Sequence, residues 1–141
     1  MKRILGALSV ATMAAVLAAP LAAQTIRVTA SVPFEFMVAG RSLPAGDYTV
    51  DTLSSDIKVV RVSNSSSAVV SMAQGATANS KERSGQALLI FHRYGDQYFL
   101  ARIVDGRGEL GLEIPASHTE RELFNTASLE KFETIAVLAR R

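Results

Sequence analysis

No cysteine occurs in the 141 residues. Disulfides, thiolate zinc sites, iron–sulfur clusters and cysteine nucleophiles are therefore excluded, as is a lipid-modified cysteine after a leader. Tryptophan is also absent, and the aromatics are three Tyr and six Phe. A sugar-stacking surface would rest on Tyr94 and Tyr98, which can equally be ordinary cross-strand neighbours. No glycine-rich phosphate loop precedes a helix, and no basic–aromatic interleaving points to nucleic acid.

A surplus of positive charge is lacking too, once its location is considered. The chain has 15 Lys and Arg against 13 Asp and Glu. Lys2 and Arg3 open a segment with an apolar run over residues 4–17, interrupted mildly by Ser9 and Thr12. Pro20 breaks the helix ahead of Leu21, Ala22 and Ala23, a small-residue junction that leaves Gln24 as the new N-terminus. Residues 1–23 thus read as a signal peptide, and the expected location is the periplasm or the exterior. Cleavage removes both surplus cations, so residues 24–141 carry 13 basic and 13 acidic groups. A net charge of zero supplies no field to steer the protein to nucleic acid or anionic lipid. Uncleaved, residues 4–23 approach the ~20 residues of a membrane span and would act as an anchor; Pro20 and the Ala-Ala-Gln junction favour cleavage.

What remains is one domain, 24–141, patterned with a period of two and punctuated by Gly, Pro, Asn and Ser. Ile26, Val28, Ala30 and Val32 alternate with polar residues up to Pro33, and Phe34, Phe36 and Val38 resume the pattern. Residues 43–46, Leu-Pro-Ala-Gly, predict a type I hairpin turn leading into a core strand with Tyr48 and Val50 on one face. Strands are expected at 57–63 and 68–74, joined across Asn64-Ser65-Ser66-Ser67. That segment matches a glycosylation sequon but reads as a turn. Residues 74–85 read as a mobile loop. Residues 86–93 and 97–104 form the strongest strand pair, turned at Tyr94-Gly95-Asp96. Residues 87–91 are apolar on both faces, predicting a strand covered on both sides. Asp105-Gly106-Arg107-Gly108 forms a further turn. Leu110, Leu112 and Ile114 then alternate with Glu109, Gly111 and Glu113, and residues 134–138 form a final strand. Ser117 and Glu120 are spaced as a capping box, with Leu123 and Phe124 docking the helix over an open end of the core.

The chemistry-bearing residues are few. His92 and His118 are the only histidines. Either one, with Asp96 and a serine, would make a hydrolase constellation, but the nucleophile-elbow motif is missing. A zinc site would need a third ligand, and only carboxylates remain. The pairs Glu120/Glu122 and Glu109/Glu113 read as solvated faces, and glycoside chemistry would want a larger cleft. An outer-membrane barrel would need strands of ~9–11 residues, longer than these. No residue set therefore qualifies as a catalytic, cofactor-binding or metal site, and no cofactor is expected.

Val32-Pro33-Phe34-Glu35-Phe36, then residues 43–50 (LPAGDYTV), then residues 91–100 (FHRYGDQYFL) follow one another after the leader. In this order they resemble small exported β-sandwich proteins of environmental Gram-negative bacteria, a group without an assigned function. The resemblance implies a compact β domain in the periplasm or outside the cell and carries over no catalytic residue. The Leu-Pro-x-Gly-x-Tyr portion is also similar to hairpins of immunoglobulin-like and transthyretin-like sandwiches, a likeness of fold alone.

The expected architecture is all-β: a single antiparallel β-sandwich or flattened barrel of about 8–9 strands with one short helix near 117–127. The expected function is a non-enzymatic accessory that binds or supports another envelope or extracellular protein. One alternative is a binder of a small apolar ligand inside the sandwich, built on Phe34, Phe36, Phe91 and Phe99. Another is a small hydrolase using His92 and Asp96.

Overall fold

The fold is given by a computed structural model that describes residues 26–53, 59–77, 85–107, 110–126 and 132–141. The leader with its Gln24 junction, the centre of the 74–85 loop, Gly108 and Glu109 lie outside the described residues. In chain order the elements are β1 (Arg27–Val32), β2 (Phe36–Val38), β3 (Arg41–Leu43), β4 (Gly46–Thr52), β5 (Val59–Ser63) and β6 (Ala68–Met72). They continue with β7 (Gln74–Thr77), β8 (Ala87–Tyr94), β9 (Gln97–Val104), β10 (Leu110–Glu113), α1 (His118–Thr126) and β11 (Phe132–Ala139).

These strands make two sheets, β1-β4-β5-β6 and β11-β8-β9-β10-β7, with the β2–β3 hairpin attached to β9. Pairing is antiparallel throughout apart from the β2–β9 contact, where Met37 lies beside Phe99. Two seams join the sheets. Thr29 and Arg140 exchange backbone hydrogen bonds of 2.8 and 2.7 Å, tying β1 to the end of β11. At the other side β6 runs into β7 through the buried Ala73, carrying the chain from one sheet to the other. The architecture is the expected all-β sandwich, flattened towards a barrel, with the helix inside the expected span.

The period-two pattern explains the core. Val28, Val32, Val50, Val60 and Val62 of the first sheet face Leu89, Phe91 and Ile103 of the second, and Phe36 joins them. Every one of these side chains is at most 2% exposed. Alternation then places His92 and Tyr94 of β8 on the opposite, outer face of the second sheet. A bulge in the β8–β9 ladder at Ile90/Phe91 bends the pair there.

Among the described residues strands number eleven rather than eight or nine, because two short segments lie outside the periodicity. Residues 74–77, expected in a loop, form edge strand β7 against β10. A second hairpin, β2–β3, turns at Ala39-Gly40, where both φ angles are positive, 50° and 75°. That is a type I′ turn, whose usual signature is Asn-Gly. Alanine tolerates positive φ poorly, so Ala39→Asn is expected to stabilise the fold by about 0.5–1 kcal/mol, read from the urea midpoint. An unchanged midpoint would contradict the assigned turn. By contrast, Gly95 (φ 61°) takes the first central position of the two-residue β8–β9 turn, as a type II′ hairpin requires.

The Leu-Pro-Ala-Gly turn leads into a core strand as expected, but it is not a hairpin. β3 pairs with β2 and β4 pairs with β1, so residues 43–46 form a corner between sheets. The Tyr48 hydroxyl clamps the corner by donating to the Pro44 carbonyl at 2.5 Å, much as tyrosine corners do in other sandwiches. The Asn64–Ser67 turn matches expectation. Asn64 Oδ1 accepts from the Ser66 and Ser67 amides at 2.9 and 2.8 Å.

Candidate functional site

Helix α1 begins as its sequence dictates. Ser117 caps it, the hydroxyl accepting from the Glu120 amide at 3.2 Å. The other half of the expected box is absent. The Glu120 side chain does not return to the cap; it turns onto the outer face of the second sheet and is 5% exposed. Its Oε1 accepts from the Tyr94 hydroxyl at 3.2 Å and lies 2.9 Å from His92 Nδ1. Two expectations are corrected here. Glu120 is not part of a solvated face, because His92 and Tyr94 stand directly beneath the first helical turn. Nor does Phe124 dock the helix over a core end: it is 56% exposed, Leu123 is half-buried, and the one fully buried residue of α1 is Glu120.

Between α1 and this sheet face lies a cleft of about 480 Å³. β8 supplies His92 and Tyr94, β9 supplies Ala101 and Arg102, and the end of β10 supplies Glu113 with the following Ile114. From above come Ala116, Glu120, Arg121, Phe124 and Asn125, and β11 contributes Phe132. The aromatic rings form a connected wall. Phe132 lies 5.3 Å from Tyr94, 5.2 Å from His92 and 6.2 Å from Phe124, between ring centroids. Beneath them Tyr94 meets Phe99 edge-to-face at 5.7 Å.

Burial first, then the neighbouring Glu120 charge and its hydrogen bond, push Tyr94 up to about 12. The phenol therefore stays protonated and donating across the physiological range. The linkage has a definite sign. Between pH 10 and 12 the folded chain holds a proton that the unfolded chain has released, so stability is intact below pH 10 and falls as pH rises through 12. A loss of about 2–3 kcal/mol is expected over that window. Tyr94→Phe should flatten this part of the profile, measured by urea unfolding at pH 9 and pH 11.5. An equally steep fall in that variant would contradict the assignment.

The other named residues fall elsewhere. Asp96 is exposed in the β8–β9 turn, and the carboxylate brought to His92 is that of Glu120. His118 and Glu122 form an exposed ion pair one helical turn apart at 3.0 Å. Glu113 is exposed at the cleft mouth. Tyr94 and Tyr98 are not opposite one another. Tyr98 faces Arg93 in the ladder and stacks on Phe34 at 3.9 Å, on the inner side of the sheet. Of the four Phe residues proposed to line an interior pocket, Phe34, Phe36 and Phe91 meet edge-to-face at 5.0 and 5.3 Å, while Phe99 lies on the other face. Among the described residues no cluster of three or more His, Cys, Asp or Glu is placed to hold a metal, and no helix is long and apolar enough to cross a membrane.

A larger groove of about 890 Å³ follows the β1–β11 seam, past Asp47, Asn64, Gln86 and Arg140. Its charged side chains are exposed, whereas Glu120 in the smaller cleft is buried. Comparisons with protein-family models, curated proteins and solved structures returned no match, which leaves the helix-covered cleft, with its buried carboxylate, as the basis for a functional reading.

Proposed function

We propose that this chain is an exported, non-enzymatic binding domain of the cell envelope or exterior, and that its ligand site is the cleft under α1. One observation carries the reading: an almost fully buried carboxylate and a connected aromatic wall converge on a single concave surface. The twelve lining residues include no Ser, Thr, Cys or Lys. Among the described lining residues no hydroxyl of Ser or Thr and no thiol stands beside the His92–Glu120 pair, and Glu120 is already engaged by the Tyr94 hydroxyl, which supports binding over hydrolysis. The same geometry moves the small-ligand alternative from the sandwich interior to its outer face. The leader-like residues 1–23 and the resemblance to small exported proteins support the location.

Native mass spectrometry of the protein from its own host tests the reading. A retained small molecule or partner is expected, and Phe124→Asp should abolish it. A bare chain, or retention indifferent to Phe124→Asp, would overturn the cleft as the site. N-terminal sequencing of the same sample is expected to begin at Gln24; a start at Met1 would overturn release from the membrane.

A further inference from the structure

We infer that the α1 cleft takes an organic cation, its ammonium group seated on Glu120 and its hydrocarbon part between Phe124 and Phe132, a proposal that rests on the cleft being the ligand site. The argument begins with the two oxygens of Glu120. Oε1 is occupied by the Tyr94 hydroxyl and by His92, whereas Oε2 has no protein hydrogen bond among the described residues. The carboxylate is 5% exposed as a whole, and Oε2 is not among the buried unpartnered atoms, so what opening it has is at the cleft that Glu120 lines. A donor entering the cleft could reach Oε2, and a hydrogen bond to a carboxylate is stronger when the donor is cationic.

The walls agree with that chemistry. Tyr94, Phe124 and Phe132 line the same cleft as Glu120, and aromatic rings attract ammonium groups while covering their alkyl parts. Two cations also line the cleft. Arg121 is exposed, and Arg102, half-buried, donates to the Thr77 carbonyl at 2.9 Å. Glu113, exposed, lines the same cleft. Water screens Arg121, and Arg102 is engaged at Thr77, which leaves Glu120 as the buried charged group of the cleft.

Calorimetric titration of the purified protein with n-hexylamine, 1-hexanol and hexanoate tests the assignment at constant chain length. Hexylamine is expected to bind at least about tenfold more tightly than the other two. Glu120→Gln should erase that preference, while Tyr94→Phe, which keeps the carboxylate, should preserve it. Arg121→Ala, an exposed change that leaves folding intact, should tighten hexylamine and weaken hexanoate. Equal binding of hexylamine and hexanol would overturn the cation assignment and leave the cleft standing, as would a preference for hexanoate. Failure of all three probes to bind would overturn the cleft itself.

Discussion

Phe91→Ala is expected to remove about 3–5 kcal/mol of stability, the range for truncating a fully buried phenylalanine. The residue is 0% exposed and occupies the middle of the sandwich, with edge-to-face contacts to Phe34 at 5.0 Å and Phe36 at 5.3 Å. Valines of the facing sheet cannot close the void, because β-branched side chains on a hydrogen-bonded ladder have little rotameric freedom. Against a total stability of about 5–15 kcal/mol for a domain of this kind, the variant should be near unfolding at physiological temperature. Urea denaturation provides the measurement, with Leu138→Ala as the comparison. Leu138 is 66% exposed and should cost no more than about 0.5 kcal/mol. Equal effects of the two substitutions would mean that the core lies elsewhere.

Glu120→Ala is the second large effect, and it should be local. Removing the carboxylate strands the Tyr94 hydroxyl and leaves His92 Nδ1 without its acceptor, at about 2–4 kcal/mol in total. The loss falls first on α1. A nine-residue helix is not stable alone in water, and with Phe124 exposed the helix has little apolar anchorage to replace Glu120. Amide exchange over residues 118–126 is therefore expected to accelerate by about thirtyfold or more while β8 and β9 stay protected. Glu122→Ala supplies the contrast, since its ion pair with His118 is exposed and worth only about 0.3–0.5 kcal/mol. Uniform acceleration through the sheets in Glu120→Ala would show that the carboxylate supports the whole fold rather than the helix.

The fold was largely readable because its strands obey one simple rule. Val28, Ala30 and Val32 alternate with exposed residues as their order predicts, and the doubly apolar 87–91 segment became a strand with both faces covered. Reading failed where local chemistry was ambiguous. Ala39-Gly40 lacks the asparagine that marks a type I′ turn, and Gln74-Gly75-Ala76-Thr77 has no apolar period, because an edge strand needs only backbone partners. The corner at residues 43–46 carries proper turn chemistry, but turn chemistry does not say whether the flanking strands pair with each other. The site was half legible. His92 was singled out, but Asp96 was the carboxylate close in sequence, while Glu120 lies 28 residues away. A capping motif seemed to account fully for Glu120, which hid its second role. One signal was available: a β8 covered on both faces puts residue 92 under whatever covers the outer side, and α1 was the element free to do so.

The seam between Thr29 and Arg140 has a consequence for the order of events during biogenesis. The two residues lie far apart in the chain, so the bond between them can form only once all the described strands have been made. Until residues 132–139 emerge, β8 offers a bare eight-residue edge and β1 has no neighbour on its outer side. Open edges recruit foreign strands. The β8 edge is thus open to foreign strands in the interval before β11 arrives, and its pairing with β11 closes it.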